Sequence, residues 1–147
     1  MEYYHQCTLG NSPFEIEYLE PEKRDNVEVL SYEEIQALYY TFYYSFIGMT
    51  NRLIISLLYG AGLIVGELHK IEVDDFDFRE GLLRLSKTKT KYQRDVPIFE
   101  SVQSHLEEYL YNARNMMLPV NSSETHLLVT PRGNRMSKPT ITFRLRK

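Results

Sequence analysis

Residues 57–98 read LLYGAGLIVGELHKIEVDDFDFREGLLRLSKTKTKYQRDVPI, and the punctuation of this stretch decides the fold. An apolar helix over residues 51–61 halts at Gly60-Ala61-Gly62, where Gly62 suits the left-handed position just past a helix end. One amphipathic turn, residues 67–71, leads into the acidic loop Asp74-Asp75-Phe76-Asp77. Leu83 and Leu85 then alternate with Leu82 and Arg84, and Val96 shares a face with Ile98, the period of half-buried strands. Lys87-Thr88-Lys89-Thr90-Lys91 lies between the two runs as a basic hairpin tip, and residues 75–78 supply a third strand. The expected class is α+β, mostly helical with a small three-stranded antiparallel sheet.

Upstream, Ser31 and Glu34 have capping-box spacing, with Leu30 and Ile35 at the two staple positions. Ile35, Leu38, Tyr39, Phe42 and Phe46 continue as one helical stripe, which Tyr40, Tyr43 and Tyr44 widen. Gly48 is expected to end this helix and Thr50 to cap the next, whose Leu53, Ile54, Leu57 and Leu58 make it central. Residues 1–29 show no period and read as an N-terminal arm or linker before a domain over residues 30–147. Downstream, residues 99–117 form a helix with Val102, Leu106, Tyr109 or Leu110, and Ala113 inward, carrying His105 and Glu108 as a surface pair. A short extended piece at residues 126–130 and a last helix from Ser137 complete the chain.

At 147 residues and 43% hydrophobic content the chain suits one domain with one core. No run of about 18 apolar residues is present, so no membrane span is expected. The lone Cys7 excludes an intrachain disulfide and suits a reducing, cytoplasmic setting, and the first residues lack the order of a secretory signal. The net charge of −3 conceals a dipole. Acidic residues crowd the front, whereas Arg84, Lys87, Lys89, Lys91 and Arg94 mark the hairpin, and Arg132, Arg135, Lys138, Arg144 and Arg146 the tail. Salt screens charges beyond about 8–10 Å, so this local basic potential, not the total, is what a polyanion meets. No metal or cofactor is expected, since the carboxylates at residues 74–77 and the pair His5 and Cys7 read as ordinary loop and terminal residues.

The order helix, glycine turn, half-helix, D-x-D-F and basic hairpin ending in R-x-V-P-[LI] resembles the catalytic domain of tyrosine recombinases, the phage-integrase family. That family reads G-x-G-L-R-x-S-E-L where this chain has Gly60-Ala61-Gly62-Leu63-Ile64-Val65-Gly66-Glu67-Leu68. The resemblance implies DNA cleavage by a tyrosine hydroxyl attacking phosphorus, with no metal. Pre-placed cations would answer the charge on the transition state: two arginines, a hairpin lysine as general acid, and histidines. Carried over, the lysine is Lys89 (alternatively Lys87), and Glu67 is the glutamate that stands behind the catalytic groups. Ile64 occupies the position of the first arginine. Residues 127–137 resemble L-F-x-x-x-x-G-x-x-[LM]-[ST], which in the family precedes H-x-L-R-H, and the sequence stops at Lys147 before such a motif.

The resemblance therefore implies a truncated, degenerate domain associated with DNA integration or site-specific recombination. It would bind duplex DNA weakly and without sequence preference through Arg84, Lys87, Lys89, Lys91, Arg94, Arg132, Arg135 and Lys138. A homodimer with Tyr40, Tyr43, Tyr44 and Tyr59 near its interface is a further expectation. The alternatives are a non-catalytic DNA-binding or regulatory module, or a protein-interaction domain, derived from the same family.

Overall fold

In the computed structural model, the hairpin forms where alternation places it. β1 (Phe76–Asp77), β2 (Leu82–Leu85) and β3 (Arg94–Pro97) make one antiparallel sheet in the order β1-β2-β3. Phe76 lies opposite Leu83, Leu83 opposite Val96 and Leu85 opposite Arg94. Leu83, Leu85 and Val96 are buried, so the apolar face of the sheet meets the core while Arg84 and Asp95, opposite one another, stay exposed. The structure describes residues 30–41, 45–86 and 93–146. The hairpin tip with Lys87, Lys89 and Lys91, the residues Phe42, Tyr43 and Tyr44, and the expected arm at residues 1–29 lie outside them.

Residues 32–147 belong to one compact unit. α1 (Tyr32–Thr41) starts directly after Ser31, as the capping pattern predicts. α2 (Phe46–Ile55) runs on into a π-helical turn, Ser56–Gly60, closed by the Ala61 N–H donating to the Ser56 carbonyl at 3.2 Å. Leu53, Ile54 and Leu57 are wholly buried, so this helix is central, and Gly62 does take φ +64° at its end. It packs on α4 (Glu100–Tyr109), which continues through a second π turn, Leu110–Arg114, into α5 (Asn115–Met117). α3 (Val65–Leu68) is a single turn, and α6 (Lys138–Leu145) is capped by Ser137, whose Oγ accepts the Thr140 N–H.

Three local expectations are corrected. Gly48 does not end the first helix. Ser45, in extended backbone, caps α2 by accepting the Gly48 N–H at 3.0 Å, which puts Gly48 in the first turn. Thr50 is no cap either: its hydroxyl bonds back to the Phe46 carbonyl at 2.6 Å and so is satisfied inside the helix. Phe46, assigned to the buried stripe of α1, is the first residue of α2 and is 44% exposed. The pair His105 and Glu108, whose charges interact, also has partners on α2 and its π turn. Glu108 takes Arg52 of α2 at 3.0 Å, and His105 Nδ1 lies 2.7 Å from Ser56 Oγ.

The far edge of the core is held by backbone bonds to two buried side chains. Tyr109 donates to the Leu127 carbonyl at 3.1 Å and accepts from the Val129 N–H at 3.2 Å, tying residues 126–130 to the helix. Burial pushes the phenol up to about 12, because the ionised form has no water to reach. Arg114, 8% exposed, donates to the carbonyls of Glu124 and His126. A strand bridge between Glu72 and His126 then joins this segment to the residues just before the sheet. No helix among the described residues is long and apolar enough to cross a membrane.

Candidate functional site

α3 needs a partner for its first amides, and isoleucine at its N-cap has no side-chain acceptor. Glu67, three residues on, supplies one: its Oε2 accepts the Ile64 N–H at 3.1 Å. The carboxylate is only 6% exposed as a residue, so it requires a cation. That cation is Arg94, the first residue of β3, whose two nitrogens reach Oε1 at 2.6 Å and Oε2 at 3.0 Å. The fork of two parallel bonds fixes direction as well as distance. Glu67 thus joins the N-terminus of α3 to the strand that emerges from the lysine-bearing tip.

Ile64 itself is 65% exposed beside this junction, an apolar side chain open to solvent at the head of a helix. The other predicted cations fall into two groups. Arg84 is paired with Asp77 across neighbouring strands at 2.7 Å. Backbone N–H donation from Glu80 and then the Arg84 guanidinium hold the Asp77 carboxyl below its ordinary range, and Asp77 in turn raises Arg84. With Asp95 opposite Arg84 in register as well, the exposed face of the hairpin carries acids beside its arginines. Arg135 donates through Nε and Nη2 to the His69 carbonyl at 3.0 and 2.8 Å, closing the C-terminal end of α3. Arg132 and Lys138 are exposed and have no ion-pair partner among the described residues.

The turn between Thr130 and Met136 has a steric basis. Gly133 has φ +76°, and a Cβ there would meet Pro119 Cδ at 2.5 Å and the Met117 carbonyl at 3.0 Å. Only glycine fits both the backbone conformation and the approach. His69 has its Nδ1 buried without a hydrogen-bond partner. Among the described residues no three His, Cys, Asp or Glu side chains gather as metal ligands. The junction Glu67–Arg94 was beyond sequence reasoning, which found both residues but had no signal to join positions 27 apart.

Three comparisons with known proteins relate the chain to one family. The model of the phage integrase family matches residues 28–147. The tyrosine recombinase XerD of Oceanobacillus iheyensis is 28% identical over 123 residues, 82% of this chain and 41% of that protein. The tyrosine recombinase XerC of Mycobacterium tuberculosis is 33% identical over 90 residues, 61% of this chain and 30% of that protein. Among solved structures, a crystal structure of XerA recombinase superposes with a TM-score of 0.67 at 26% identity. That superposition covers 86% of this chain and 43% of the other, so the chain spans about two fifths of the length of this XerA and of the Oceanobacillus XerD.

Proposed function

The chain belongs to the phage integrase family, the tyrosine recombinases, and from that premise we propose that it contacts duplex DNA without catalysing strand exchange by itself. The observation that carries the proposal is Ile64, exposed where the family places a transition-state arginine, directly beside an intact Glu67–Arg94 junction. The frame that would aim the hairpin is kept, and one charge it would serve is gone. In this reading Lys89, or Lys87, occupies the position of the general acid. Lys87, Lys89 and Lys91, with Arg132 and Lys138, supply the phosphate contacts, and residues 1–29 act as an arm before the domain. Arg84, Arg94 and Arg135 contribute less than their charge suggests, since each is engaged by a carboxylate or a carbonyl of the chain itself.

The expected binding is weak, independent of sequence and steeply salt-dependent. Each phosphate contact adds about −0.9 to the slope of log affinity against log salt. Replacing Lys87, Lys89 and Lys91 together by Gln is expected to flatten the slope by roughly 2–3 units while leaving the Glu67–Arg94 junction in place. Fluorescence anisotropy on duplexes of unrelated sequence reads both slopes, and an unchanged slope in the triple variant would refute the hairpin assignment.

Homodimer formation is part of the same proposal, with a changed location. Tyr40 and Tyr59 are exposed but face a cleft described below. Helices α2 and α6, joined by Arg144 donating to Asn51 at 3.0 Å, instead leave Phe46, Ile47, Phe143 and Leu145 between 41% and 63% exposed. Exposed apolar side chains on two joined helices favour coverage by a second copy. Sedimentation equilibrium is expected to show dimers at micromolar concentration and a shift toward monomer for Ile47→Asp with Phe143→Asp. A parent chain that stays monomeric would end this part of the reading.

A further inference from the structure

On another part of the unit a cleft of about 640 Å³ opens between α1 and the α2–α4 pair. This volume lies within the range of roughly 300–1,000 Å³ typical of small-molecule sites. Tyr32, Tyr39, Tyr40 and Tyr59 wall it, and Arg52, Ser56 and His105 bring polar atoms to one side. Its floor is the π turn Ser56–Gly60, a form that occurs mostly as single inserted turns and often at functional sites. The turn lies so close to α4 that a Cβ on Gly60 would meet Val102 Cγ2 at 2.7 Å.

The Ser56 hydroxyl is the centre of the hydrogen bonds here. Ser56 has one hydroxyl proton, and the Arg52 carbonyl, 2.9 Å away, can only accept it. With that proton donated to the Arg52 carbonyl, Ser56 Oγ accepts from its two other neighbours, Tyr39 Oη at 3.2 Å and His105 Nδ1 at 2.7 Å, the arrangement on which the inference below rests. With its proton on Nδ1, neutral His105 has a bare lone pair on Nε2, and that nitrogen has no partner among the described residues. Burial, then the nearby Arg52 charge, lower the histidine's pKa and so favour this neutral form, against a smaller opposing effect of Glu108. Tyr39 lies against the imidazole with ring centroids 5.3 Å apart, which fixes its plane. An unused acceptor among aromatic faces selects for a flat ligand that brings its own donor.

From this arrangement we infer that the cleft is a binding site for a small planar aromatic molecule carrying an N–H or O–H, which donates to His105 Nε2 and stacks on the tyrosine walls. The site is independent of the hairpin and of the DNA reading. The test uses indole and 1-methylindole, alike in shape but for the donor, in ligand-observed and ¹⁵N-histidine NMR titrations of the full chain. Indole is expected to shift the His105 Nε2 resonance and to bind roughly fivefold more tightly than 1-methylindole, the worth of one net hydrogen bond. His105→Phe should abolish that discrimination. Tyr40→Ala and Tyr59→Ala, on exposed positions where folding is not at stake, should weaken both probes alike. Equal affinity for the two probes, absence of binding by either, or indifference to both tyrosine changes would overturn the inference. Should His105→Phe fail to fold, the probe ratio and the histidine shift on the parent chain decide the matter.

Discussion

A polypeptide of these 147 residues, incubated with a nicked suicide duplex, is expected to form no covalent protein–DNA adduct. Attack on phosphorus gathers negative charge on the non-bridging oxygens, and only cations or donors placed beforehand offset it without reorganisation. Ile64 offers neither, and no H-x-L-R-H run occurs among the residues to supply the rest. Loss of a single transition-state donor costs about 3–4 kcal/mol in comparable oxyanion sites, a factor of several hundred in rate. Ile64→Arg alone is not expected to produce an adduct. It is expected to steepen the salt dependence of DNA binding by about one unit, since an exposed cation is added beside the Glu67–Arg94 junction. Denaturing gels of labelled duplex read the first result. A phosphotyrosyl adduct mapped to any of the twelve tyrosines would defeat the proposal of an inactive chain.

The second large effect concerns stability. Arg94→Ala is expected to lower the unfolding free energy by about 2–3 kcal/mol. Removing one member of a fully buried pair typically costs about 3–5 kcal/mol, because the remaining charge has no partner. Here the Arg94 side chain is 41% exposed against 8% for Glu67, so water would reach the deserted carboxylate and soften the loss. Arg94→Lys should recover only part of it, since an ammonium cannot make both parallel bonds. Joining Glu67→Gln to Arg94→Gln should cost less than the sum of the two changes, because no unpaired charge remains. Urea unfolding supplies the energies, and tryptic cleavage near residues 87–94 reports whether the base of the hairpin has loosened. If Arg94→Ala unfolds within about 0.5 kcal/mol of the parent, the junction contributes no more than an ordinary surface ion pair.

The two effects separate the work of neighbouring residues. Glu67 and Arg94 hold a frame, and position 64 is where that frame would present a charge to a ligand. On the proposed reading, a chain that keeps the first and not the second would retain the frame while losing one means to stabilise a transition state. Indole binding at His105, were it found, would add a second ligand class beside the DNA proposed for the hairpin and tail.

By itself the sequence determined whatever depends on neighbours along the chain. Alternation at Leu83, Leu85, Val96 and Ile98 set the hairpin and its buried face, and three- and four-residue spacing put Val102, Leu106, Tyr109 and Ala113 inward. Gly62 could be assigned to its helix end from residue type alone, and the chained motifs around Glu67 and residues 94–98 were enough to place the chain in its family. Only the tertiary structure decided which charges are spent. Arg84 meets Asp77 over seven positions, Arg94 meets Glu67 over 27 and Arg52 meets Glu108 over 56, and nothing in linear order distinguishes them from exposed cations. It also decided the start of α2, where serine, threonine and glycine within six residues offer several caps of similar strength and packing selects Ser45. The π turns and the His105 acceptor belong to the same class. Local propensity acts over a few residues along the backbone, whereas charge neutralisation and close packing act through space, between residues that the fold alone makes neighbours.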